Sequence, residues 1–117
     1  MKYTNLGRSG LQVSKLCLGM MSYGDASWQP WVLSADAGER FVRRALDCGI
    51  NFFDTADFYS YGASEEILGG AVARANARHE VVISTKVGLP MRAGPNGGAV
   101  TKASPYQLAS IAAAIEV

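Results

Sequence analysis

Strand-like and helix-like runs alternate along this chain at intervals of roughly 30–35 residues, the spacing of βα units, and this constrains the fold more than any other feature. LCLGM at 16–20, INFFDTA at 50–56 and EVVISTKVG at 80–88 are apolar runs of strand length. The first of them predicts a strand buried on both faces. Between the runs lie helical patterns. Ser34 predicts an N-cap, with Asp36 and Glu39 in the first turn, where the helix dipole favours carboxylates. Phe41, Val42, Ala45 and Leu46 form one apolar stripe, and Gly49 closes the helix. Ser64 predicts the cap of a second helix, with Glu65 and Glu66 in its first turn and Arg74 and Arg78 towards its end. Its buried face is expected to be Ile67, Leu68, Ala71, Val72 and Ala75. Ser104-Pro105 predicts the start of a third helix carrying Leu108, Ile111 and Ile115 on one side.

Strands joined by helical crossovers make a parallel sheet. A TIM (β/α)8 barrel has this spacing and needs about 250 residues, so three of its eight units fit here. A doubly wound sheet shares the alternation, but its GxGxxG loop is absent after the first strand, where the sequence is Gly19-Met20-Met21. The expected fold is therefore α/β, with residues 1–117 the N-terminal part of a single barrel domain. Residues 2–15, KYTNLGRSGLQVSK, alternate polar and apolar about Gly7 to Gly10 and predict a β-hairpin cap. Three parallel strands leave both sheet edges open, so such a piece alone is expected to be marginally stable.

A chain that is 49% hydrophobic and 18% charged has the makings of a packed core. Eleven basic and ten acidic residues are interspersed for a net charge of +1, which gives no electrostatic case for nucleic acid or an anionic membrane. The opening MKYTNLGRSG holds no apolar signal core, and no apolar run is long enough to span a bilayer. Cys17 and Cys48 stand in apolar contexts without CxxC spacing, which predicts buried, reduced thiols and a cytoplasmic location. No metal-ligand spacing stands out.

The chemistry gathers at strand ends. Asp54 lies near the end of the second strand, Tyr59 five residues on, and Lys86 near the end of the third. In a βα barrel those ends share the active-site rim. An ammonium where an apolar strand meets the barrel mouth calls for a partner, which Asp54 can supply. A phenol ordinarily loses its proton near pH 10, and an adjacent ammonium moves that loss towards working pH. Tyr59 so placed can protonate a carbonyl oxygen while hydride reaches the carbon, and the hydride requires a cofactor. In the loop after the first strand, Tyr23, Trp28 and Trp31 are candidates to line a substrate pocket. Gly94 to Gly98 lacks the GK[ST] of a P-loop and is expected to be a rim loop rather than a phosphate cradle.

GINFFDTADFYSYGASEEILGGAV followed by VVISTKVG resembles the aldo-keto reductases, and KYTNLGRSGLQVSKLCLGMMSYG looks like that family's N-terminal hairpin and first strand. The resemblance runs over residues 2 to about 98 and is closest to the bacterial subgroup related to potassium-channel β-subunits and general aldehyde reductases. It implies a small-molecule aldehyde or ketone as substrate, NADP(H) as cofactor, and Asp54, Tyr59 and Lys86 as three of four catalytic residues. It also implies that Gly19 and Met20, through their backbone, and Asp54 approach the cofactor. The family's fourth member is a histidine after the fourth strand. His79 precedes the third strand and would lie ~23 Å from Lys86 at strand rise, so it is expected to be a surface turn residue. The histidine and the loops that grip the cofactor's phosphates would come after residue 117, so the piece alone is expected not to turn over. Rival expectations are a non-catalytic regulatory subunit of the channel type and a degenerate, inactive relic.

Overall fold

The computed structural model describes residues 1–89. The third predicted helix and the Gly94–Gly98 loop lie outside the described residues. A two-stranded antiparallel hairpin comes first: β1 (Tyr3–Asn5) and β2 (Gln12–Ser14), with Tyr3 opposite Ser14. Gly7 (φ 56°) and Gly10 (φ 83°) let the chain reverse between them, as the alternation predicted. Three parallel strands follow in the order β3 (Leu18–Gly19), β4 (Phe52–Asp54) and β5 (Val82–Ser84). They are joined by α1 (Ala35–Asp47) and α2 (Ala63–Arg74), so each strand is linked to its neighbour by a helical crossover.

Register follows from burial. Leu18 faces Phe53, and Phe53 faces Ile83; with Met20 and Val81 they make the helix-side layer of the sheet. Phe53, Met20, Val42, Leu68, Val72 and Val81 are almost completely buried. Burying a side chain of this kind contributes about 1.5–3 kcal/mol, so this layer is what holds the strands in phase. Gly38 allows the close approach of α1 to its neighbours: a Cβ there would come within 2.8 Å of Tyr23 Cβ and 3.0 Å of Ile67 Cγ2. Glu39 on α1 accepts from Arg74 Nε of α2 at 2.8 Å and pairs with its Nη2 at 2.7 Å, across the exposed side of the pair. The hairpin docks at the opposite end of the strands. Asn51 accepts from Ser14 N at 2.7 Å and donates to Gln12 O at 3.1 Å, while the Tyr3 hydroxyl donates to Gly49 O at 2.8 Å.

Several expectations need correction. Ser34 does cap α1, accepting from Ala37 N at 3.4 Å, but Ser64 caps nothing. It lies within α2 and is fully buried; the residue before that helix is Gly62 in the left-handed region. Phe41 is outside the core stripe, 49% exposed and stacked on Tyr23. Ala75 is exposed, and Ala77, just past the helix, fills the core instead. Strand β3 is not buried on both faces: alternate residues Cys17 and Gly19 are exposed on the side away from the helices. Cys17 and Cys48 are free thiols, as predicted, but exposed rather than buried. Among the described residues α1 and α2 cover one face of the sheet, so Cys17 and Gly19 on the other face stay exposed, and Cys48 is exposed at the end of α1.

Candidate functional site

Asp54 is the last residue of β4 and sits in register between Gly19 and Ser84, on the face turned from the helices. Beyond it the backbone keeps close to β5: Thr55 N donates to Ser84 O at 2.8 Å, and Asp57 N donates to Lys86 O at 3.1 Å. Lys86, two residues after Ser84, therefore emerges on the same side as Asp54. Its ammonium donates to Asp54 Oδ2 at 2.7 Å and to Thr55 O at 2.6 Å. It also stands 4.9 Å from the centre of the Tyr59 ring. Tyr59 begins a short 3-10 turn, Tyr59–Gly62, after the chain folds back with Tyr59 N donating to Ala56 O at 3.2 Å. The three residues singled out by sequence thus converge.

The ammonium is not buried: the Lys86 and Asp54 side chains are 47% and 40% exposed. Partial burial works against its charge, but hydrogen bonding to Asp54 and Tyr59 and attraction to both prevail, holding Lys86 above its ordinary 10.5. Charge-bearing Lys86 is therefore the resting state next to the Tyr59 phenol. Cys17 shares this face; desolvation and the Asp54 charge raise its pKa against the pull of Lys86, so it is a thiol rather than a thiolate. Asp57 is set apart: its Oδ2 is buried with no hydrogen-bond partner among the described residues. Burial pushes its carboxyl up, a backbone bond from Phe58 offsetting part of this.

Aromatic side chains form a wall beside Tyr59. Trp28 packs edge-on to Trp31 and Phe58, with ring centres 5.8 and 5.6 Å away, and lies tilted over Tyr59 at 6.4 Å. Trp31 is exposed, at the outer end of this row. Tyr23 is not part of the wall. It is 8% exposed within the helix-side core and stacks on Phe41 at 5.3 Å, which corrects its assignment as a pocket residue. A mainly apolar cleft of about 290 Å³ opens between Phe58, Tyr59, Lys86, Val87 and Leu89. A larger cleft of about 490 Å³ lies at the hairpin end, but it holds no lysine, and its one phenol, Tyr3, is committed to Gly49 O.

Gly19 and Met20 differ in what they offer a ligand. Gly19 is exposed, and a Cβ built on it would meet no atom within 4 Å, so the floor beside Asp54 is open enough for a flat ring to approach the backbone. Met20 is fully buried: its N donates to Asp54 O at 2.8 Å, and its carbonyl accepts from Tyr23 N and Ser64 Oγ. His79 is exposed in the turn before β5, 4.0 Å from Glu80, as expected of a surface residue. Among the described residues no cluster of three or more metal-ligating side chains occurs, and no helix is long and apolar enough to cross a membrane.

Four supporting residues escaped the sequence patterns. Buried Ser64 donates to Met20 O at 2.8 Å and meets Thr55 Oγ1 at 3.2 Å, tying the ends of β3 and β4 to α2. Ser60 Oγ accepts from Asp25 N at 3.1 Å, directly beside Gly24. No local pattern marks such pairs, because each joins residues about 35 to 45 positions apart or mimics a helix cap. Thr85 Oγ1, which donates to Glu65 at 2.6 Å, fastens β5 to α2 in the same way.

Comparison with known proteins fits this geometry. The versiconal hemiacetal acetate reductase of Aspergillus parasiticus is 49% identical over 87 residues, covering 74% of this chain and 25% of that protein. An uncharacterized oxidoreductase of Bacillus subtilis is 43% identical over 103 residues, covering 84% of this chain and 29% of its own length. The holo form of an aldo-keto reductase from Bacillus halodurans superposes with a TM-score of 0.66 at 36% identity, over 83% of this chain and 29% of that one. The chain thus spans between a quarter and a third of the length of these relatives, and its strands and helices are the N-terminal βα units of their TIM barrel. With the model of the aldo/keto reductase family matching residues 15–116, the chain belongs to that family of oxidoreductases.

Proposed function

We propose that a barrel-length protein beginning with this sequence reduces aldehyde or ketone carbonyls to alcohols with NADP(H), Tyr59 giving the proton. The observation that carries this is the contact set of Lys86, 2.7 Å from Asp54 Oδ2 and 4.9 Å from the Tyr59 ring centre. A nicotinamide cofactor, when bound, supplies the hydride that such a reduction adds to the carbonyl carbon. Gly19 and Asp54 would hold its reactive end, while buried Met20, its backbone N–H and carbonyl already bonded to Asp54, Tyr23 and Ser64, would support that floor from within. The Tyr59 hydroxyl donates its proton to the carbonyl oxygen, so the C=O π bond gives way to one new C–H and one new O–H bond. Lys86 stabilises the phenolate left behind, and Asp54 keeps the ammonium on that side of the ring. Water returns the proton to Tyr59; in alcohol oxidation each transfer reverses. Trp28 and Phe58 supply an apolar flank that excludes water from the carbonyl and suits an uncharged substrate.

Tyr59→Phe tests the assignment. Turnover of NADPH with an aldehyde should fall by about 10²-fold or more, the range for losing a general acid, while cofactor affinity is kept. A Tyr59→Phe protein with near wild-type turnover rules out this role.

A further inference from the structure

We propose that Gly24 and Ser60 form a positioning contact that sets where the Tyr59 phenol lies; the proposal rests on Tyr59 being the proton donor. The residues after Tyr59 are in an unusual state. Ser60 (φ 50°, ψ 35°) and Tyr61 (φ 50°, ψ 44°) are consecutive non-glycine residues in the left-handed region. Side chains with a Cβ leave that region unless their surroundings hold them there.

Ser60 is held by the loop that follows β3. It is 6% exposed, and its Oγ accepts from Asp25 N at 3.1 Å. Its Cβ and Oγ lie so close to Gly24 that any Cβ at position 24 would overlap both. Gly24 cannot simply retreat. Its N donates to Leu33 O at 2.9 Å, and Leu33 N donates to Ser22 O at 2.8 Å, so the two ends of the loop brace each other. The same loop carries Trp28, whose ring centre is 6.4 Å from that of Tyr59. Tyr59 is thus gripped through the residue after it and through its own ring. Tyr61 is 58% exposed and is held by a backbone bond to Phe58 O at 3.1 Å and an edge contact to the Phe58 ring, both to the residue just before Tyr59, so the tie from the left-handed pair to the loop after β3 runs through Ser60. A shift of Ser60 by the width of a methyl group moves the attached Tyr59 relative to Lys86. Gly24 and Ser60 touch neither substrate nor reacting atoms; they act through Tyr59.

The test uses a barrel-length protein beginning with this sequence, assayed by NADPH oxidation with an aldehyde and by cofactor titration. Gly24→Ala should lower kcat by about 10- to 100-fold, the cost of misplacing a reacting group by up to an ångström, while the cofactor dissociation constant changes by less than about twofold. Adding Ser60→Gly should raise kcat again, to within several-fold of the wild type, because the acceptor for Asp25 N stays missing. The new methyl then occupies space the serine vacates, and glycine accepts φ near 50° without strain. Ser60→Ala, which removes only the acceptor for Asp25 N, is the variant for the case that Gly24→Ala does not fold. It should lower kcat by several-fold with cofactor affinity unchanged. Full kcat in Gly24→Ala or in Ser60→Ala overturns the proposal, as does a folded double variant without recovery. Tyr59→Phe, measured alongside, separates the two ideas. If it is active, the proton-donor assignment fails; if it is inactive while Gly24→Ala is fully active, only the positioning contact fails.

Discussion

Ser64→Ala puts a number on the tie between the strand ends and α2. Ser64 is fully buried, donates to Met20 O at 2.8 Å and meets Thr55 Oγ1 at 3.2 Å. Alanine removes one oxygen and leaves almost no cavity, so the change is nearly all hydrogen bonding. The Met20 carbonyl keeps its bond from Tyr23 N at 3.1 Å, so its loss is an ordinary one of about 1 kcal/mol. Thr55 fares worse: it is 1% exposed, and its hydroxyl loses the one partner it has among the described residues. A stranded buried hydroxyl costs about 1–3 kcal/mol, for a total of about 2–4 kcal/mol. Thr55→Val in the same background removes the stranded group itself and should recover about 1–2 kcal/mol, because deleting both partners of a buried bond is far cheaper than deleting one. A helix-cap serine would behave differently, costing about 1 kcal/mol and showing no coupling to Thr55. Urea unfolding of a barrel-length protein, with the wild type, both single variants and the double compared at unchanged m-value, reads the cycle. A Ser64→Ala loss below about 0.5 kcal/mol, or additive single variants, would refute the buried-hydroxyl argument.

Asp54→Asn should change stability by less than about 1 kcal/mol, since both partners of its 2.7 Å ion pair are about half-exposed. Its effect belongs in the pH profile. Lys86 is raised, so its ion pair is fully present below pH 10.5 and is lost as pH rises through the higher folded-state value. Without the carboxylate, the burial that opposes the charge remains, and the alkaline limb of the rate profile should move to lower pH; an unmoved limb contradicts this. Asp57→Asn has the opposite logic. A carboxyl raised by burial costs no stability below its unfolded value of 3.8, and the cost develops as pH climbs through the folded-state value. The variant should flatten that decline and be the more stable protein at neutral pH, as chemical denaturation at a series of pH values would show; a decline as steep as that of the wild type counts against it.

Much of this was legible because it is periodic or local. The helix-facing residues Val42, Leu68, Ala71 and Val72 follow the 3.6-residue period, and Ser34 caps its helix because an N-cap uses only neighbours in sequence. Asp54, Tyr59 and Lys86 stood out because charged and phenolic groups at the ends of apolar strands have few structural reasons to be there. Ser64 misled because a serine before two glutamates mimics a cap, while its actual partners, Met20 and Thr55, are brought to it by the crossover. Tyr23 misled in the same way. Its place after the strand suggested the rim, yet Gly38 leaves a recess against α1, and a ring that can stack on Phe41 is better buried there. Nothing local to Gly24 or Ser60 announces a contact 36 residues apart. The thiols of Cys17 and Cys48 were misjudged because apolar sequence neighbours on a strand or helix end do not determine which face a residue takes.

The chemistry of the rim depends on phase, and phase depends on contacts far from the rim. Side chains alternate along a strand, so a one-residue slip of β4 would carry Asp54 into the helix layer and Phe53 out of it. Between its two fastenings β4 has only three residues, Phe52–Asp54. Below, Asn51 is held to the hairpin by three bonds: from Ser14 N to its side chain, from its own N to Ser14 Oγ, and from its amide to Gln12 O. Above, Thr55 is held by Ser64 and by Ser84 O. Ser14 Oγ in turn donates to Leu16 O at 2.6 Å, so the clamp that reads Asn51 also steers the chain into β3, where Gly19 must lie opposite Asp54. A slip would have to break bonds at both ends at once and place a carboxylate among Met20, Val42 and Leu68, a burial of unpaired charge that costs far more than any single bond in the clamp. The hairpin therefore contributes to where Asp54 points, although it lies at the other end of the strands from Lys86. Because that direction is fixed by the fold itself, the ion pair beside Tyr59 would need no reorganisation in the proposed carbonyl reduction, the condition under which a placed charge stabilises a transition state most.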